Sequence, residues 1–275
     1  MIVEDYTDPR SKGRKAVQDT VDASTWEKNR RFSENLKAIL AKHPIASHPL
    51  MEFFDNETLN NAKTLAIHQE FGYAFAQIFT DGVIRAMSLS QDLEARLGPK
   101  GKVTARFLWA LNLMDELGYV PSGDTESYSG NPYAAHYFLY VDIFRSLGAS
   151  ERAILDFKPA EESKLARATF ENQYNNYADL TAVLAISESI FDKFAGPWAR
   201  NVGRSSQVDS TKGYHTIHVE DHDGESIDDE HSEDGWTLFC QAVTPDDYTR
   251  IEKLIKNCLN DWSKFADKII DIAMS

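Results

Sequence analysis

Apolar residues recur every three or four positions along most of this 275-residue chain, and this spacing constrains the fold more than any other feature of the sequence. Side chains spaced in this way lie on one face of an α-helix, whereas the alternation typical of half-buried strands does not persist here beyond a few residues. The pattern therefore predicts an all-α, single-domain bundle of about seven helices around one core. The clearest apolar face is C-terminal and comprises Tyr248, Ile251, Ile255, Cys258, Leu259, Trp262, Phe265, Ala266, Ile269 and Ile270.

The same spacing divides the chain into two parts. Residues 1–24 are polar and charged without sustained periodicity, which predicts a flexible N-terminal arm before a helical domain over 25–275. Within that domain, one long helix is expected over 57–88. Another helix is expected to end at Gly196-Pro197, because proline disrupts a helix interior and disfavours the helical conformation of the residue before it.

Composition excludes several classes of partner. The chain has 29 basic and 43 acidic residues, a formal net charge of −14, whereas nucleic-acid backbones are bound by clustered Lys and Arg. No segment reaches the ~18–20 consecutive apolar residues of a membrane span, and the N-terminus lacks the layout of a signal peptide. Cys240 and Cys258 are too few for a disulfide framework and are not spaced as a metal-binding pair. We expect a cytoplasmic protein that binds neither nucleic acid nor membrane.

Two ionisable residues stand where a core residue is expected. Glu188 interrupts an apolar stripe that runs from Tyr177 to Trp198, and His136 interrupts a second stripe between Tyr133 and Leu147. A buried charge is costly unless it has a partner, a proton or a metal ion. Glu188 is therefore either a metal ligand or a neutral or Arg-paired core carboxyl. His136 is either a ligand or a hydrogen-bonded structural histidine.

Glu116 lies near the end of a predicted helix, on one face with Trp109 and Leu113. A carboxylate at a helix C-terminus opposes the helix dipole, so its placement favours a nearby cation. The alternative is an ordinary surface acid.

The segment 214–236 holds four of the eight histidines in the chain. If it is one helix, counting back from the apolar residues after it places Asp221, Gly224, Asp228 and His231 on the buried face. An Asp and a His three residues apart can bind the same ion. His218 and His222 fall on a neighbouring face, and His218 would lie roughly 20 Å from His231 unless the helix breaks. The alternative is a solvated acidic surface.

Three separated helical regions thus contribute candidate ligands. Carboxylates neutralise ferrous and ferric ions and can bridge two of them, while imidazoles supply neutral donors. This donor set predicts a carboxylate-bridged non-haem iron site, of one or two ions, inside a helical bundle. Its members are Glu116, His136, Glu188, Asp228 and His231.

Several short motifs occur in a fixed order along residues 35–270. They are His43-Pro-Ile-Ala-Ser-His-Pro-Leu, Leu65-Ala-Ile-His-Gln-Glu-Phe-Gly-Tyr-Ala-Phe, Asn112-Leu-Met-Asp-Glu-Leu-Gly, His136-Tyr-Phe-Leu, Arg145-Ser-Leu-Gly, Ser187-Glu-Ser and Asp228-Asp-Glu-His. By these motifs the chain resembles the haem-oxygenase-like di-iron oxidase and oxygenase superfamily, whose relatives include thiaminase-II-like proteins and pyrroloquinoline-quinone synthase. By that resemblance Glu116, His136, Glu188, Asp228 and His231 match metal ligands, while Gly224 stands where most di-metal members have a histidine. One iron would then be weakly held, assembled only with substrate, or completed by Asp221, His218 or His222.

The resemblance implies a non-haem iron-dependent oxidoreductase that holds two Fe(II) ions and uses O₂ as co-substrate. It also implies a small organic substrate, such as an amino acid, an amine or an aliphatic acid. The reaction would be N-oxygenation, oxidative carbon–carbon cleavage or hydroxylation. The habit of the family implies a homodimer.

Two other functions stay open at this point. The chain could be a metal-free enzyme of the same fold, such as a thiaminase-II-like hydrolase or a cofactorless oxidase. It could also be a non-enzymatic helical interaction protein with an acidic, His-rich surface. Binding of Fe(II) distinguishes the iron enzyme from both.

Overall fold

The structure is a computed structural model that describes residues 7–120, 129–218 and 227–275. The all-α prediction is confirmed, but the thirteen α-helices of this described part are shorter and more numerous than the predicted set. In chain order they are α1 (Pro9–Gln18), α2 (Ala23–Lys42), α3 (Pro49–Asn56), α4 (Asn61–Phe71), α5 (Phe79–Leu89), α6 (Glu94–Glu116), α7 (His136–Ser146), α8 (Glu151–Leu155), α9 (Glu161–Glu171), α10 (Tyr177–Ser205), α11 (Tyr214–Ile217), α12 (Ile227–Ala242) and α13 (Tyr248–Met274).

The helix expected over 57–88 is divided in two. Asn60 caps α4 by accepting a hydrogen bond from the backbone N–H of Lys63, and a π-helical turn at Gly72–Ala76 separates α4 from α5. Gly72 faces the ring of Tyr140, and a Cβ at this glycine would lie only 2.8 Å from that ring. The chain therefore keeps its helical spacing while the helix itself is interrupted where another helix packs closely.

The predicted helix end at Gly196-Pro197 is wrong. Helix α10 runs through Pro197 to Ser205. Trp198 and Val202, which follow the proline, are buried in the core. Burial of two large apolar side chains contributes about 1.5–3 kcal/mol each, which offsets the ~3 kcal/mol that an interior proline costs.

The predicted N-terminal arm is wrong for residues 9–18. They form α1, which begins after the capping residue Asp8 and packs against α6 and α12. Its arginines, Arg10 and Arg14, both form ion pairs with the buried Asp234 of α12. Besides these ion pairs, α1 buries Gly13 and Val17, which are too few to give a run of apolar periodicity.

Helices α10 and α12 form the central antiparallel pair of the fold. The hydroxyls of Ser189 and Ser232 lie 2.9 Å apart, and the indole of Trp236 donates a hydrogen bond of 2.9 Å to Ser189. Gly235 lies against Ala185, where a Cβ would be 3.2 Å from the Ala185 Cα. The small residue lets the two helices approach closely and brings the preceding turn of α12 level with the centre of α10.

A short antiparallel strand pair joins α6 to α7. Strand β1 (Tyr119–Val120) pairs with β2 (Ser129–Gly130), with Tyr119 opposite Gly130. Gly118 precedes β1 with a φ of 81°, and a Cβ there would lie 2.5 Å from the carbonyl oxygen of Asn131. This close crossing returns the chain to the end of α6, so that α7 begins beside the residue on which α6 ends.

The apolar helix faces form one continuous buried cluster. Cys240 and Cys258 are buried free thiols, and Cys258 belongs to this cluster. Among the helices of the described residues, none combines the length and apolarity that a membrane crossing requires.

The contact between α10 and α12 gives a test of packing. We expect Gly235→Ala to lower the free energy of unfolding by about 1–2 kcal/mol relative to Gly82→Ala, because its added methyl group meets the backbone of α10. Gly82 is the matched control, since it also faces α10 but its new Cβ would meet only the flexible end of Leu184, at 3.3 Å. Chemical denaturation measures both variants. Equal stabilities would contradict the close approach.

Candidate metal centre

Four of the five predicted ligands meet between α6, α7, α10 and α12. Glu116 ends α6, His136 begins α7, Glu188 lies midway along α10 and His231 lies near the start of α12. The Oε1 atom of Glu116 lies 3.1 Å from Nδ1 of His136 and 3.9 Å from Nδ1 of His231. The Oε1 atom of Glu188 lies 3.7 Å from the same Nδ1 of His231. Each of these residues is at most 7% exposed.

These separations suit donors around a common ion. Ligand atoms bound to one cation at about 2.1 Å are about 3–4.2 Å from one another. The Nδ1 atom of His136 supports the same conclusion, because it is buried and makes no hydrogen bond of acceptable geometry despite its 3.1 Å contact with Glu116. Within the described residues, no group of three or more His, Cys, Asp or Glu side chains is arranged so that it could hold a metal ion. The fit therefore rests on the chemistry of the donors, since buried carboxylates and imidazoles are the ligand types that iron takes in proteins.

In the metal-free protein, the centre holds two acidic side chains, Glu116 and Glu188, and one protonated imidazole, that of His231. Burial favours the neutral carboxyl of Glu116, but the imidazoles of His136, His231 and His218 outweigh it and lower its pKa. Burial alone would lower the pKa of His231, yet hydrogen bonds to Asp115 and Glu188 and the charges of Glu188 and Glu116 raise it to about 10. Without metal, an imidazolium at position 231 therefore neutralises part of the negative charge.

Asp115 is a functional candidate that sequence reasoning missed. Its Oδ2 atom lies 3.2 Å from Nε2 of His231, on the opposite side of the ring from Glu116 and Glu188. A carboxylate in this position sets which ring nitrogen faces the centre. The Asp-Glu pair at the end of α6 was visible in the sequence, but its two carboxylates have separate roles only when α12 packs between them.

Of the less certain candidates, His218 lies at the centre. Its ring lies 5.2 Å from the ring of His136 and 5.1 Å from that of Phe191, and its imidazole is one of the groups that lower the pKa of Glu116. Helix α11 ends at Ile217 and is separate from α12, so the distance expected for one continuous helix between His218 and His231 does not apply.

The remaining candidates stay predictions. Asp221 and His222 lie outside the described residues, as does Gly224. Asp228 lies in α12, three residues before His231, but its side chain is outside the described part of the structure.

A second pair of histidines, His68 and His215, was also not identified from the sequence. Their Nε2 atoms are 3.0 Å apart. The Nδ1 atom of His68 lies 2.7 Å from the carbonyl oxygen of Thr64 and donates to it, so Nε2 of His68 accepts from His215. Burial lowers the pKa of His68 to about 4 and that of His215 well below its usual value. This neutral pair ties α11 to α4 and thereby holds His218 beside the centre.

An aromatic cavity adjoins the candidate ligands. It is partly open to solvent, and its acidic and histidine lining residues are Glu116, Glu188, His136 and His218. A second, apolar cavity shares three walls with it, namely Phe71, Phe191 and Trp262. No Lys or Arg lines either cavity within the described residues.

Comparison with known proteins supports the fold alone. A CadD-like protein of unknown function from Nostoc punctiforme is 13% identical to this chain and superimposes with a TM-score of 0.65. The match covers 90% of this chain and 100% of that protein. The two proteins therefore share an all-α fold. No protein-family model and no curated protein matches the sequence.

The raised pKa of His231 gives a test in the metal-free protein. A group whose pKa is raised from 6.5 to about 10 on folding stabilises the native state fully below 6.5 and loses that contribution as pH rises through 10. We expect the difference in unfolding free energy between the parent and His231→Gln to shrink over this window. His68→Gln is the control, because the pKa of His68 is lowered to about 4 and its contribution is lost as pH falls from 6.5. Denaturation across pH measures both, and a constant His231 difference would contradict the buried imidazolium.

Proposed function

We propose that this protein is a non-haem iron-dependent oxidase or oxygenase that uses O₂ to oxidise a small organic substrate. The observation that carries the proposal is the convergence of two buried carboxylates and two imidazole Nδ1 atoms from four helices. Placing these groups together in a core is costly unless a cation compensates them. The structural similarity supports the fold and leaves the function to be argued from this site.

The proposed ligands are Glu116, His136, Glu188 and His231, with Asp228 added from the first turn of α12. Ferrous iron bound here would supply the reducing electrons for O₂ activation. Glu116 and Glu188 would neutralise the ion, and His231 would release its proton on binding. His218 is the described residue best placed to complete a second iron position, because it lies beside His136.

The cavity supports a largely apolar substrate. A charged group placed among Phe71, Phe191 and Trp262 would face aromatic rings, whereas the acidic lining residues are Glu116 and Glu188. The polar end of a substrate would therefore lie towards Glu116 and Glu188, and its apolar body would lie along the aromatic walls. Among the substrate classes considered, an aliphatic acid or amine has this form, with one polar end and one apolar end.

Iron binding is the direct test of the proposal. We expect anaerobic Fe(II) to raise the melting temperature by several degrees, because a ligand at ~100 times its Kd stabilises the native state by about 2.7 kcal/mol. Glu188→Gln, Asp228→Asn and His231→Gln should abolish this rise and any iron-dependent O₂ consumption. Calorimetry and iron analysis measure the effect, and two ions per chain would support the di-iron form.

Glu70→Gln is the matched control for the iron test. Glu70 is as buried as Glu188, but its carboxylate is satisfied elsewhere, by the hydroxyl of Ser163 at 2.6 Å and the backbone N–H of Ala160 at 3.1 Å. This variant should keep the response to iron. A parent protein that binds no Fe(II) would instead favour the metal-free enzyme or the interaction protein.

The aromatic walls give a prediction about the substrate. In Zn(II)-loaded protein, we expect octanoate to bind ~10-fold or more tightly than 8-aminooctanoate, since the ammonium at the far end of the latter would be buried among aromatic rings without an ionic partner. Quenching of tryptophan fluorescence measures binding, because Trp262 lines both cavities. Trp262→Phe should remove most of the quenching. Equal affinities would contradict an apolar site for the far end of the substrate.

A further inference from the structure

The carboxylate of Asp115 connects the candidate centre to the N-terminal helix. Asp115 contacts His231 on one side and the guanidinium of Arg10 on the other. Arg10 comes from α1, far from the centre in sequence. The link therefore depends on the docking of α1 rather than on local structure.

Arg10 is held in place by groups from two helices. Its Nη1 atom donates a hydrogen bond of 2.7 Å to Oδ1 of Asn112 in α6, and its Nε atom lies 3.0 Å from Oε2 of Glu230 in α12. It also forms an ion pair with Asp234, whose side chain is fully buried. The Arg10 side chain is only 12% exposed, so its position is well constrained by these partners.

We propose that Arg10 is a positioning residue of the candidate metal centre, acting through Asp115 to hold the Nδ1 atom of His231 towards Glu116 and Glu188. The inference rests on the proposed metal-binding function. The physical basis is general: a ligating histidine is oriented by the group that accepts its other N–H, and that group must itself be held. The side chain of Asp115 is 26% exposed, and its ion pair with Arg10 restricts its rotamer.

The alternative is that Arg10 merely attaches α1 to the protein. Arg14 provides the comparison, because it lies on the same helix and also binds α12. Its Nε atom is 2.6 Å from Oδ1 of Asp234, and it forms a further ion pair with Glu233. None of the ion pairs or hydrogen bonds described for Arg14 involves Asp115.

The test compares Arg10→Met with Arg14→Met in the full-length protein, using Co(II) alone as the metal probe. We expect Arg10→Met to weaken Co(II) binding by about 10–100-fold, the usual effect of losing an outer partner of a ligand, and to change the visible absorption of the bound ion. Arg14→Met should keep the parent affinity and spectrum. The melting temperature of each metal-free variant shows whether it is folded, and Arg10→Lys should restore part of the affinity.

A double variant tests whether Arg10 acts through Asp115. Asp115→Asn should also weaken Co(II) binding, and combining it with Arg10→Met should add little, because the two changes break one connection. The positioning role is overturned if the losses of Co(II) affinity in the two single variants multiply in the double variant. It is also overturned if Arg10→Met and Arg14→Met lose the same affinity. The proposed metal function would stand in both cases. A parent protein that binds no Co(II) would overturn the proposed metal function and the positioning role together.

Discussion

Ionisable groups buried at the meeting point of four helices impose the main physical constraint on this structure. Glu116, His136, Glu188 and His231 are each almost fully buried, and isolated charges in such a place would destabilise the fold. Without metal, the proton on His231 compensates part of their charge. The proposed iron would take over that compensation, which explains how one site can be both a stability problem and a functional centre.

Several separate features of the fold bring these four ionisable residues together. The close contact at Gly235 brings α12 against α10, so that His231 lies level with Glu188. The crossing at Gly118 returns the chain so that His136 lies beside Glu116. The neutral histidine pair ties α11 to α4 beside the same cavity. Each feature is small in energy, but together they set the distances between the four candidate ligands.

Parts of the structure were predictable from the sequence, and the errors have specific causes. Spacing correctly indicated that Glu188, His136 and His231 point inward, because apolar neighbours define a helix face. The spacing of apolar residues did not reveal α1, which docks through Arg10 and Arg14. The predicted end of α10 was too early, because the rule that a proline ends a helix ignores the burial of the residues that follow Pro197. The spacing also missed Asp115 and His215, whose roles depend on contacts with other helices.

The sequence by itself determined the helical class and the burial of Glu188, His136 and His231, since both follow from periodicity within one helix. Only the tertiary structure decided that Glu116, His136, Glu188 and His231 lie close together, and that Asp115 lies between His231 and Arg10. The physical reason is that periodicity is a property of a single helix. It gives the direction in which a side chain points from the axis of its helix. A binding site depends on the distances between different helices, and these are set by how the helices pack.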